Sequence, residues 1–337
     1  MRLNTLLPVI RFFSGNNPLN VLMLFFAGIL LRLPYFLNPA VPVSSADDGF
    51  LYQVLLKWLQ PAGSFFLPLY PILSYLLLFL QAVTFNGLIN RQRLYPQPNL
   101  LLGFSFLLLT SLVPEWNQLS PALLINTVMV WAWPLMIGLY HNQKPAGSLF
   151  NLGFAFGVCS FIYFPAIYYL LLLYVALAIF RPFRLTEWLI TLVGVALPFY
   201  FLLVYFFVWD RWNLTASIVP AHDLVIPQMP FTTGVWIVIL LIFIPLLLGL
   251  FLSRRLVVRM LVHARKSWSF MIVYLVVALV LPFISGPGWY SHLLLAIVPV
   301  SFFHTGFYLA PRSKFFPELV IWLIIGWSVL NNFFLQK

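Results

Sequence analysis

Carboxylates are scarce in this chain: seven Asp and Glu among 337 residues, against eighteen Lys and Arg, and charged residues of both signs make up only 7%. A soluble domain carries several times that charge on its surface, so a water-exposed globular fold is excluded. The one cysteine, Cys159, sits in an apolar run and excludes an internal disulfide or a cysteine metal cluster. Motifs are missing as well. Without GxGxxG, a Walker loop, HExxH, CxxC or GxSxG, the chain has none of the usual residues of nucleotide-driven transport, zinc proteolysis or serine hydrolysis.

What is abundant is hydrocarbon: 63% of the residues are hydrophobic. Apolar runs recur along the whole length, many of them long enough to cross about 30 Å of bilayer core as helices. Breaks at Pro, Gly, Asn and charge predict an all-α integral membrane protein with spans near residues 19–37, 63–86, 99–113, 121–140, 148–161, 164–180, 187–208, 231–252, 268–285, 290–309 and 316–334. That gives about eleven transmembrane helices, ten to twelve in all. The third is short, and residues 151–180 read either as one bent span or as a hairpin broken near Pro165. The N-terminal segment, with Arg2 and Arg11, leads into an uncleaved first span.

The net charge of +11 does not point to nucleic acid, because the cations lie in short clusters between spans. With the N-terminus cytoplasmic and the C-terminus outside, Arg2, Arg11, Arg91, Arg93, Lys144, Arg181, Arg184, Arg254, Arg255, Arg259, Arg265, Lys266, Arg312 and Lys314 fall on the inner side. Only Arg32, Lys57, Arg211 and Lys337 fall on the other, the asymmetry expected when cationic loops resist translocation. The acids divide the opposite way: Asp47, Asp48, Glu115, Asp210 and Asp223 outside, Glu187 and Glu318 inside.

Two of the seven carboxylates are adjacent, in "SSADDGF" (44–50), just outside the first span. The following "DDGFLYQVLLKWLQP" places Phe50, Leu51, Val54, Leu55 and Trp58 at helical spacing, with Gln53 and Lys57 opposite, and is too short to span. It predicts a helix lying in the outer interface and anchored by Trp58. Ser45 followed three residues later by Asp48 fits a capping box, a purely structural role for the acidic pair.

A first span ending in "LLRLPYFLNP", an outer loop carrying "DD", an interfacial amphipathic helix and a return span resemble the start of the GT-C superfamily of integral membrane glycosyltransferases. The likeness covers roughly residues 19–184, ending in the basic turn "RPFR", and divides the chain into a GT-C-like module, 1–184, and a C-terminal helical module, 185–337. "SGPGWYSHLLLAIVPV" (285–300) resembles a late family segment in which an aromatic outer loop enters a Leu- and Pro-rich span. Members that append a soluble C-terminal domain differ from this chain, whose "SVLNNFFLQK" follows a span directly.

The resemblance implies a polyprenyl-phosphate-linked sugar as donor and makes Asp47 or Asp48 the general base or a metal ligand. Glu115, beside Trp116 in "PEWNQ", stands where some members keep a second acidic ligand. Oxygen ligands of this kind suit Mg²⁺ or Mn²⁺. Arg32 either faces the lipid phosphate or snorkels to the headgroups.

Arg211, His222 and Asp223, in the longest outer loop, and Trp289, Tyr290 and His292, in "GPGWYSH", are sugar- or phosphate-binding residue types that an interfacial aromatic belt explains equally well. His304 is expected to be a neutral histidine bonded between helices, and "RRLVVRMLVHARK" (254–266) a basic amphipathic stretch on anionic lipid or a dock for a partner. "NLT" (213–215) has the pattern of a glycosylation acceptor. Besides a glycosyltransferase of the bacterial inner membrane, the sequence is compatible with a non-enzymatic subunit that scaffolds a protein-export or envelope-building complex, and with a transporter.

Overall fold

The structure, a computed structural model, describes residues 8–15, 17–43, 48–212, 232–283, 289–309 and 315–335. Ser45, Asp47, His222 and Asp223 lie outside the described residues, as do the side chains of Trp289 and Tyr290. The regular structure is helical: α1 (Pro8–Phe13), α2 (Pro18–Leu31), α3 (Leu33–Leu37), α4 (Phe50–Phe65), α5 (Leu69–Arg91), α6 (Leu101–Thr110), α7 (Pro121–Gly138), α8 (Ala146–Cys159), α9 (Leu170–Phe180), α10 (Leu185–Val208), α11 (Thr233–Val257), α12 (Val262–Val280), α13 (Trp289–Leu293), α14 (Ile297–Leu309) and α15 (Phe315–Leu330). Local chemistry sets several of the starts. Asn17 caps α2 by accepting from the Leu19 N–H at 3.3 Å, Ser120 caps α7 by accepting from Leu123 N–H at 3.2 Å, and proline follows each cap at the first helical position.

Among the described residues, seven helical segments are long and apolar enough to cross a membrane: α5, α7, α10, α11, Val262–Phe283, Ser291–Leu309 and Phe315–Phe334. Four shorter apolar ones, Pro18–Leu31, Leu101–Thr110, Ala146–Cys159 and Phe164–Phe180, lie where the sequence also suggested spans. Residues 151–180 form two segments, since α8 stops at Cys159 and a 3₁₀ turn, Phe164–Tyr169, opens the next. Close approach holds α8 to α10. A Cβ on Gly153 would meet the Thr191 carbonyl, one on Gly157 the Val195 carbonyl at 2.6 Å, and one on Gly194 the Phe150 carbonyl at 2.5 Å, so only glycine admits this contact.

The short α6 is the centre of the bundle: all ten of its residues are buried, and α5 and α14 pack beside it. Ten residues rise only about 15 Å, so both helix ends stop inside the protein and their backbone groups need partners there. At the N-terminal end Asn99 Oδ1 accepts from Leu101 N–H and Asn86 Oδ1 from Gly103 N–H. At the C-terminal end the carbonyls of Leu107, Ser111 and Leu112 accept from Arg32, from Ser328 and Asn332, and from Asn331. Arg32 therefore neither snorkels nor faces the surface. It is 2% exposed, with its guanidinium bonded to Thr110 Oγ1 at 2.7 Å, Leu107 O at 3.0 Å and Gly28 O at 3.3 Å. The C-terminal ends of α2 and α6 meet at this point, and their partial negative charge favours a cation.

Cross-links define two ends. At one, Arg181 binds Glu187 through two nitrogens at 2.8 and 3.1 Å and reaches the Leu139 carbonyl, while Glu318 accepts the N–H groups of Val9 and Ile10. This basic end also carries Arg91, Arg93, Lys144, Arg184 and the α11–α12 turn. The opposite, acidic end carries Asp48, Glu115 and α13.

Candidate functional site

Asp48 is fixed by its backbone. It forms an isolated antiparallel bridge with Tyr163, followed by Gly49 N–H to Ile162 O at 3.1 Å and Leu51 N–H to Phe161 O at 3.0 Å. A Cβ on Gly49 would collide with the Phe161 carbonyl, so glycine is required for the acidic loop to lie against the turn after α8. The expected capping box is corrected by this arrangement. Gly49 is the N-cap and α4 begins at Phe50, because the chain around Asp48 is held extended against Tyr163 and leaves Asp48 ahead of the helix.

Along helix α4, Trp58 is 83% exposed and Tyr52 is buried. The Tyr52 hydroxyl donates to the Leu119 carbonyl at 2.8 Å, tying α4 to the segment that follows the Pro114–Asn117 turn bearing Glu115. Burial first, and the Asp48 carboxylate second, push the Tyr52 phenol above its ordinary value, so it keeps the proton it donates.

Beside that turn opens an apolar cavity of about 680 Å³ between α11, α14 and α15. Glu115 and Trp116 line it together with Thr232 and Asn331, and Ile242 and Val300 are among its apolar lining. Phe243 both lines the cavity and is 50% exposed, so the wall is reached from the outer surface of α11. Glu115 is exposed and forms no ion pair among the described residues. The volume falls within the usual range for a small-molecule or lipid-chain site.

The predicted residues divide by position. Glu115 and Trp116 stand on the cavity. Asp48 approaches it through a stack: Tyr163 packs on the His292 ring with centroids 5.4 Å apart, and the next residue, Leu293, lines the cavity. His292 is buried against Tyr163, and the short α13 is packed onto the Glu115 turn. Arg32 belongs to the end of α6, and Arg211 is exposed after α10, a helix seated on α8 and apart from the cavity lining. His304 matches its expectation, Nε2–H donating to the Ile242 carbonyl at 2.8 Å with the Tyr308 hydroxyl at 3.4 Å from Nδ1.

As for a metal, no group of three His, Cys, Asp or Glu side chains gathers among the described residues. Of the three carboxylates expected as metal ligands, Asp48 and Glu115 are described and Asp47 lies outside the described residues. Tyr52, Tyr163 and the cavity wall escaped sequence reasoning. The wall is mostly Leu, Ile and Val with Ala296, Phe243 and Trp327, hard to tell by letter from lipid-facing surface, whereas Tyr52 carries one legible signal, a lone phenol beside the apolar stripe of α4. Comparison of the chain with protein-family models, with curated proteins and with solved structures gives no match.

Proposed function

We propose that the chain is a membrane glycosyltransferase of GT-C type that takes a sugar from a polyprenyl-phosphate carrier at the outer leaflet of a bacterial inner membrane. In this reading the chain crosses about eleven times, the four shorter helices completing the seven long ones, with the N-terminus and the basic end cytoplasmic. One observation carries the proposal: the exposed Glu115 lines an apolar cavity of about 680 Å³, and Leu119, just after its turn, is bonded by Tyr52 of the helix that follows Asp48. The cavity takes part of the isoprenoid chain, and the carboxylates meet the headgroup.

The acceptor O–H gives its proton to Asp47 or Asp48, and the acceptor oxygen bonds to the anomeric carbon. The bond from that carbon to the phosphate oxygen breaks, and the polyprenyl phosphate leaves with the electron pair. Glu115 hydrogen-bonds a hydroxyl of the sugar or acceptor and holds it in line. No step is routed through a metal. The test is product formation from a polyprenyl-phosphate sugar by the purified full chain carrying Asp47→Asn, Asp48→Asn and Glu115→Gln, singly and together. Loss is expected in Glu115→Gln and in at least one of the two single Asp→Asn variants, and unchanged turnover in the triple variant would end the proposal.

A second reading, a subunit that scaffolds a membrane assembly, has its own support in α10. This helix rests on α8 along one face and leaves Leu189, Leu192, Val193 and Phe201 exposed for another membrane protein. Stoichiometric partners retained in gentle detergent, combined with an inert Glu115, would favour it.

A further inference from the structure

At the basic end, α11 closes on Arg254 and Arg255, a turn carries Arg259, and α12 opens with Arg265 in its first turn. All four arginines are exposed, and none forms an ion pair among the described residues. Between them the turn holds apolar side chains outward: Val258 is 75% exposed, Leu261 83% and Val262 50%. Cations flanking exposed aliphatics are unfavourable in water and equally so in hydrocarbon, but they suit the headgroup region, where guanidinium forks bind phosphate while the apolar tip enters the acyl boundary.

Position narrows the occupant further. Both α11 and the Val262–Phe283 segment are long and apolar enough to cross a membrane, so the turn between them stands at a bilayer surface. The described carboxylates of this end are already engaged, Glu187 by Arg181 and Glu318 by the first N–H groups of α1, so negative charge has to come from outside the chain. Lys266 is held separately, its Nζ over the Tyr140 ring at 4.9 Å.

We infer that the α11–α12 turn is a binding site for anionic phospholipid: Arg254, Arg255, Arg259 and Arg265 grip the phosphate groups, and Val258, Leu261 and Val262 lie among the upper acyl carbons. It is independent of the cavity at the other end and of the reaction proposed there. The site concentrates acidic lipid around α11, the helix that also forms a wall of that cavity.

The experiment uses the purified full chain with Leu261→Cys carrying an environment-sensitive fluorophore; the native Cys159 is buried in α8 and stays unlabelled. Reconstitution is compared in vesicles of phosphatidylcholine alone and of phosphatidylcholine with phosphatidylglycerol. The label is expected to be quenched by a lipid-borne quencher more strongly in the second. Phosphatidylglycerol retained through detergent exchange should fall about fivefold for each Arg→Gln change, and Arg→Lys should keep most of it. Equal retention of the two lipids, or a quadruple Arg→Gln variant that behaves as wild type, overturns the inference. So does a label shielded only in native membranes, which would make the turn a dock for a protein.

Discussion

The two ends of the bundle use carboxylates in opposite ways. At the basic end Glu187 and Glu318 are buried and consumed by structure, one gripped by Arg181, the other receiving two backbone N–H groups of α1. At the acidic end Glu115 is exposed and lines a cavity, and Asp48 is held by its backbone while Tyr52 links α4 to the segment after the Glu115 turn. A buried carboxylate with saturated oxygens stabilises a fold, whereas an exposed one on a fixed backbone beside a cavity is available for chemistry. Residue type is the same at both ends; only the environment separates the roles.

The sharpest way to break this contrast is to neutralise one acid at each end. Glu115→Gln should lower the proposed glycosyl transfer by about 10²-fold with thermal stability unchanged. Glu187→Gln should do the reverse, costing about 3–5 kcal/mol by leaving Arg181 without its buried partner, with activity per folded molecule retained. Thermal unfolding and turnover measured on both variants read the exchange directly.

Much of this layout was legible beforehand, and for physical reasons. Apolar runs mark helices because lipid forces backbone groups to pair internally, so the expected spans overlie the observed helical segments, and Ser120 before Pro121 marks the start of α7. The positions of the acid-bearing loops followed from the same runs. Polar residues inside the bundle were not legible. Arg32 looked like a headgroup residue because its partners, Thr110 and the carbonyl of Leu107, are more than seventy positions away. Asn331 and Asn332 fell inside the last expected span, 316–334, with no role assigned, yet they close the C-terminal end of α6. Such contacts depend on which helix ends stop inside the protein, and hydropathy carries no record of that.

Smaller effects sharpen the comparison. Gly194→Leu should force α10 off α8 and cost about 1–3 kcal/mol or more, seen as a lowered unfolding temperature, while the acidic-end segments stay linked through Tyr52. Tyr52→Phe removes one buried hydrogen bond. It should cost about 1 kcal/mol and also lower turnover, because the segment after the Glu115 turn loses its tie to α4; a loss of stability with full turnover would detach the two outer segments from one another functionally. Trp58→Ala, on the exposed side of α4, should change stability by less than about 0.5 kcal/mol in detergent.

The claim on which the acidic end rests is that its cavity receives a lipid chain, and filling the cavity addresses this most directly. With Val300→Trp, which places a bulky ring into the apolar wall, the affinity of the full chain in nanodiscs for a fluorescent polyprenyl phosphate is compared with wild type. Weakening by about tenfold or more, with an unchanged melting temperature, is the expected result; equal affinity in the two proteins would place the carrier elsewhere and contradict it.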